Sequence, residues 1–269
     1  MPNDRQAATQ LEEPARSFYL RVLRTLSDAK APFLVGGAYA LCHYTGIERN
    51  TKDFDIFVRR EDYDSVMSLL SASGCETDLT FPHWLGKATC DTALVDVIFS
   101  SGNGVSLVDD DWFRHAPDGF VLELPVKLCP PEETIWSKAF VTERERYDGA
   151  DIMHILLCRA ETLDWDRLLR RFGEHWRVLF SCLCLFGFVY PSERARIPQW
   201  VMTALMQRLD EELHAPPPSE RICQGTLISR EQYLADLERG GFTDARLTMP
   251  NAMTKEEIAE WTRAIQDKK

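Results

Sequence analysis

The stretch that most constrains the fold is residues 33–58, FLVGGAYALCHYTGIERNTKDFDIFV. An apolar run of strand length meets Gly36-Gly37. A short helical segment follows from Ala38 to Thr45, with Gly46 as its stop, and after a polar loop comes a second strand carrying Asp53 and Asp55. Side chains alternate along a strand, so Asp53 and Asp55 share a face. Two ionised carboxylates side by side repel, and a cation between them relieves the repulsion. Hard oxygen ligands of this kind suit Mg²⁺, which binds through one or two protein carboxylates plus phosphate oxygens. The glycine pair lets backbone N–H groups approach an anion closely, and the start of the following helix favours negative charge.

A third acid, Asp96, lies in the strand-like run ALVDVIF. There Leu94, Asp96 and Ile98 share one face and Val95, Val97 and Phe99 the other. An aspartate among so many apolar neighbours is costly to bury without a partner, which points to a cation. A Gly-Gly pair alone is a turn, and an Asp-x-Asp alone is common on exposed strands; the order of the parts narrows the reading. That order resembles the signature of the DNA polymerase β-like nucleotidyltransferases. The resemblance implies an α/β (α+β) fold, with a small mixed-sheet nucleotidyltransferase domain followed by a helical domain. It also implies Mg²⁺, with Mn²⁺ as the alternative ion, and an NTP such as ATP as substrate. Asp53, Asp55 and Asp96 would be the catalytic metal ligands, and Gly36 and Gly37 would cradle phosphate. Ala38 stands where the family usually has a small hydroxyl residue, which removes one phosphate contact.

Bulk properties set wider limits. The chain has 269 residues, 45% hydrophobic and 27% charged, an ordinary globular composition able to bury a core. A formal charge of −11 argues against a protein that coats nucleic acid, though not against a local basic groove. The start, MPNDRQAATQLEEP, has no apolar signal region. The longest apolar run, Val178–Tyr190, falls short of a membrane span and reads as a buried helix. None of the eight cysteines has metal-ribbon or redox spacing, and Cys182 and Cys184 read as reduced core residues. The expected compartment is the cytoplasm.

Along the chain, residues 12–29 carry a helical stripe of Tyr19, Val22, Leu23 and Leu26. Arg49 and Lys52 precede the acids and either touch phosphate or balance the carboxylates. Residues 60–73 form an amphipathic helix, 75–100 read as strands, and two more strands are expected at Val121–Leu124 and Val126–Leu128. Pro130-Pro131 is the clearest boundary.

Beyond it the pattern turns helical. Lys138-Ala139, Arg144, Arg146, Asp148 and Asp151 resemble the second block of nucleotidyltransferases related to abortive-infection toxins. By that resemblance Lys138 reaches the triphosphate, and Arg144, Arg146, Asp148 and Asp151 join Lys52 in binding nucleotide. Asp148-x-x-Asp151 also fits a helix capping box. Helices are expected over 163–190, 198–213 and 229–239, with a capping box of Thr254 and Glu257 opening a last one. The stiff HAPPPSE segment separates the last part, so the expected domains are 1–129, 130–213 and 214–269. Arg159, Arg167, Arg170, Arg171 and Arg177 are interleaved with acids, as on a solvated helix face. They are also the best local patch for an RNA acceptor. The rival to an enzyme is a catalytically degenerate, antitoxin-like binding module of the same fold.

Overall fold

The computed structural model describes residues 13–49, 51, 53–90 and 93–266, so Lys52 lies outside the described residues. The chain divides into two compact units that meet in sequence at Pro130 and Pro131.

The first unit opens with α1 (Glu13–Asp28), β1 (Leu34–Val35), α2 (Gly37–Thr45), β2 (Asp53–Phe57) and α3 (Arg60–Ala72). It continues with β3 (Glu76–Phe81), β4 (Leu85–Cys90), β5 (Ala93–Ile98), α4 (Asp110–Arg114), β6 (Asp118–Val121) and β7 (Leu124–Lys127). Five strands form one mixed sheet in the order β1-β2-β5-β4-β3. The β2–β5 pair is parallel and the other pairs are antiparallel. This is the mixed α/β architecture expected from the sequence.

The alternation anticipated for the two central strands is complete. Phe54, Ile56, Val58, Val95, Val97 and Phe99 are all 0–1% exposed, while Asp53, Asp55, Phe57, Leu94, Asp96 and Ile98 are only half-buried. The buried set shares a core with Phe18, Tyr19, Val22, Leu23 and Leu26 of α1 and Tyr63, Val66, Met67 and Leu70 of α3. Each such side chain contributes roughly 1.5–3 kcal/mol relative to exposure. That gain, and not any preference of the aspartates, fixes which face of β2 and β5 carries the acids.

The β6–β7 hairpin differs from expectation. Its strands are Asp118–Val121 and Leu124–Lys127 and not Val121–Leu124 and Val126–Leu128, and its turn is Leu122-Glu123, both at positive φ (49° and 68°). Such a two-residue turn usually takes Asn-Gly, so the sequence carries no turn signal there. Burial of Leu122, 6% exposed, offsets the backbone strain.

The second unit is helical up to His214: α5 (Pro131–Ala139), α6 (Gly149–Arg159), α7 (Trp165–Phe172), α8 (Trp176–Val189) and α9 (Gln199–His214). A short parallel pair, β8 (Ile222–Cys223) with β9 (Thr243–Asp244), brackets α10 (Leu234–Glu238), and α11 (Lys255–Gln266) follows. The helix expected over 163–190 is broken at Gly173, whose φ of +48° leaves the helical region, and a 3₁₀ turn carries the chain into α8. The helix expected over 229–239 shrinks to α10. In α8, Trp176, Leu179, Leu183 and Phe186 are buried, but Phe188 is 80% exposed, so the apolar run is only half-buried. Cys184 is exposed and not a core residue. Among the described residues, Trp165–Val189 is the one helical stretch long and apolar enough to cross a membrane by length and composition.

Candidate metal and nucleotide site

The three acids come together. Asp55 pairs in register with Asp96 across the parallel β2–β5 ladder, and Asp53 lies two residues along on the same face. Asp53, Asp55 and Asp96 each offer a carboxylate oxygen, and these oxygens lie within 4.8 Å of one another. An all-oxygen set of this spacing fits a hard divalent ion, whose Mg–O bonds are about 2.0–2.1 Å. Their charge is felt beneath the sheet as well. Burial pushes the Tyr19 phenol above its ordinary pKa, and Asp53, Asp55 and Asp96 push it the same way.

Neighbours hold two of the acids in place, and the sequence motif did not announce them. The Thr51 hydroxyl donates to Asp53 Oδ1 at 2.5 Å and accepts the Asp53 N–H at 3.4 Å. Lys87 of β4 places its Nζ 3.2 Å from Asp96 Oδ1. Counting back from the Cys90–Ala93 pair that closes the β4–β5 hairpin brings Lys87 opposite Asp96. That register is a property of the folded hairpin, so no local motif marked Lys87.

The glycine pair is built against the second acid. Gly37 opens α2 at φ +54°, and a Cβ there would lie 1.8 Å from Asp55 Oδ2. A Cβ on Gly36 would lie 2.3 Å from the Phe57 ring. Only glycine lets the turn close over this strand. The Gly36 N–H donates to the Asp55 carbonyl at 3.0 Å, so it is committed to the sheet edge. The N–H groups of Gly37, Ala38 and Tyr39 lie in the first turn, which a helix leaves without intrahelical partners. At its far end α2 stops as expected, with Gly46 at φ 72° donating its N–H to the Cys42 carbonyl. Arg49 is exposed.

In the second unit, Lys138 is clamped between two carboxylates, 3.0 Å from Asp148 Oδ2 and 2.8 Å from Asp151 Oδ2. Arg146 also bonds Asp148. Burial alone would raise the Asp148 pKa, but the Arg146 hydrogen bond and the Lys138 charge hold it below the ordinary carboxylate value. Asp148 does occupy the position before α6, yet its side chain makes no cap hydrogen bond, because both cations compete for it. The capping-box reading is thus corrected. Arg144 is exposed at the tip of a turn in which the Glu143 N–H donates to the Arg146 carbonyl. The Glu143 carboxylate in turn accepts from the Ser229 hydroxyl and pairs with Arg230, tying this turn to the C-terminal segment.

The arginine group divides: Arg170 and Arg177 are exposed and Arg159 is half-buried, but Arg167 and Arg171 are not part of a solvated patch. Arg167 is 6% exposed and pairs with Glu132, while Arg171 Nε lies 3.0 Å from Glu133, itself fully buried. Burial pushes the Glu133 pKa up even against the opposing charges of Arg167 and Arg171. Arg177 pairs with Glu212 at the surface. Arg167 and Arg171 are committed to buried carboxylates, so they cannot neutralise RNA phosphates without leaving those acids unpaired.

Neither a family model nor a curated protein matches this sequence. Among solved structures, it is similar to the antibiotic-resistance factor ANT(2″)-Ia, with 14% identity and a TM-score of 0.42 over 76% of this chain and 97% of that one. It is also similar to the lincosamide antibiotic adenylyltransferase LnuA in its lincomycin-bound form, with 16% identity and a TM-score of 0.39 over 55% and 98%. A third is an antigenic nucleotidyltransferase-like protein from Paracoccidioides brasiliensis, with 16% identity and a TM-score of 0.46 over 69% and 93%. Likenesses this distant assign neither substrate nor activity to this chain.

Proposed function

We propose that the protein is a metal-dependent nucleotidyltransferase that moves NMP from an NTP to an acceptor hydroxyl and releases pyrophosphate. The observation that carries this reading is the convergence of Asp53, Asp55 and Asp96 within 4.8 Å on the half-buried face of the sheet, with the α2 turn packed against Asp55. Bound there, Mg²⁺ or Mn²⁺ would supply Lewis-acid stabilisation of the attacking and leaving oxygens. Asp53 and Asp55 would hold the ion and the phosphates that travel with it. Asp96 would complete the set and take the proton from the acceptor hydroxyl, whose oxygen forms the new bond to the α-phosphorus as the bond to the pyrophosphate oxygen breaks. The Gly37 and Ala38 N–H groups would orient a phosphate at the start of α2.

Within the second unit, the residues put forward for nucleotide binding are Lys138, Arg144, Arg146, Asp148 and Asp151. Lys138 already has two carboxylate partners, so a triphosphate would have to outcompete Asp148 and Asp151 for it. The resemblance to abortive-infection nucleotidyltransferases rests on this block alone. For the acceptor, the arginines no longer favour RNA, and the reading names it by its hydroxyl. A degenerate binding module would have no need for three carboxylates held at ligand spacing.

The test is incubation with each labelled NTP, Mg²⁺ or Mn²⁺, and a panel of RNA, protein and small-molecule hydroxyl acceptors. Transfer by the wild type that is lost in Asp55→Asn supports the proposal. A product formed equally by Asp55→Asn overturns it.

A further inference from the structure

The row of side chains that crosses the half-buried face from β2 through β5 to β4 reads Asp55, Asp96, Lys87, each residue opposite the next in the strand register. We propose that Lys87 is a counter-cation built into the acid cluster: its ammonium holds Asp96 while no divalent ion is present, and must leave Asp96 for one to bind. Lys87 thereby sets the affinity of the site for metal. This rests on the metal-dependent reading of the triad.

Three carboxylates at this spacing repel one another strongly, and a folded chain must offset that repulsion before any ion arrives. Lys87 does so from within the sheet, with Nζ 3.2 Å from Asp96 Oδ1 and the Asp96 side chain only 14% exposed. The ammonium occupies space beside an oxygen that the ion needs, so the two cations compete. Lys87 can yield because its side chain is 33% exposed and its stem is flexible, so the head can move to water while β4 stays paired. Asp78, opposite Lys87 on β3, is exposed and accepts a hydrogen bond from Thr80, so it offers the ammonium an alternative neighbour.

The experiment compares Mn²⁺ binding by calorimetry, and melting with chelator or with Mn²⁺, for the wild type, Lys87→Met, Lys87→Arg and Asp55→Asn. Lys87→Met keeps the stem and removes the charge. It is expected to bind Mn²⁺ about tenfold tighter, since a unit charge next to a divalent ion is worth at least that even in a solvent-like dielectric. It should also melt lower in chelator and gain more on adding Mn²⁺. Lys87→Arg should return both properties toward the wild type. A residue that merely supported β4 would lose metal affinity on substitution, and weaker or unchanged Mn²⁺ binding in Lys87→Met overturns the proposal while leaving the metal site standing. If Asp55→Asn binds Mn²⁺ as the wild type does, or if neither the wild type nor Lys87→Met binds it, the metal reading falls and Lys87's role with it.

Discussion

Gly37→Ala is the sharpest probe of how the glycine turn serves the acids. Two costs follow from the structure. At φ +54° an alanine pays the left-handed penalty, about 1–2 kcal/mol. Its Cβ would also fall 1.8 Å from Asp55 Oδ2, and the struck atom is the far end of a side chain and not backbone. Asp55 can therefore yield by leaving its rotamer, at about 0.5–1.5 kcal/mol, and in doing so it leaves the cluster. The total is roughly 1.5–3.5 kcal/mol, and at about 4 °C per kcal/mol for a unit of this size melting should fall by roughly 6–14 °C. Gly46→Ala is the matched control, because Gly46 sits at φ +72° with nothing within 4 Å of a Cβ. It should lose only the backbone part, about 1–2 kcal/mol, and keep its metal affinity. The assay is thermal melting in chelator together with Mn²⁺ titration. Gly37→Ala should bind Mn²⁺ at least tenfold more weakly than Gly46→Ala. If the two variants bind Mn²⁺ alike, Asp55 is not held against the turn and the reasoning fails.

Asp55→Asn should abolish nucleotidyl transfer while its melting temperature in chelator holds or rises, because one repelling carboxylate is gone; a fall of more than a few degrees would mean that Asp55 is structural. Lys138→Met should cost about 2–4 kcal/mol in urea melts, since Asp148 and Asp151 would both lose the ammonium that lies between them. Asp148 has a depressed folded pKa, so its contribution to stability is present above the ordinary carboxylate pKa of about 3.9 and is lost as pH falls through the lower folded value. Asp148→Asn should therefore flatten the acid limb of the stability profile below about pH 4, and an unchanged limb would contradict the pairing. Thr254→Ala should loosen α11 by about 1 kcal/mol, because the Thr254 hydroxyl accepts from the Glu257 N–H while the Glu257 carboxylate accepts from the Thr254 N–H. Faster amide exchange confined to α11 would confirm it.

Part of this site is legible in local sequence pattern alone. Period-two burial in DFDIF and ALVDVI is a property of neighbours in sequence, so the sharing of one face by Asp53 and Asp55, and the outward turn of Asp96, can be read directly. Gly46 as a helix stop and Thr254 with Glu257 as a capping box are equally local. Each depends on backbone groups at most four residues away. The Leu122-Glu123 turn is also local, but the sequence hides it because burial and not turn chemistry sustains it.

By itself, then, the sequence determined which residues could serve as ligands and on which face of their strands they stand, because side-chain direction follows from backbone period. Partnership was decided by the tertiary structure. Strand register put Lys87 on Asp96, and helix packing drew Arg167 and Arg171 out of a supposed surface patch onto Glu132 and Glu133, 35 and 38 residues away. The fold of one turn gave Lys138 to both Asp148 and Asp151. A charge chooses its partner by distance and burial once distant segments meet, and nothing in the spacing of charges along a chain states which segments will meet.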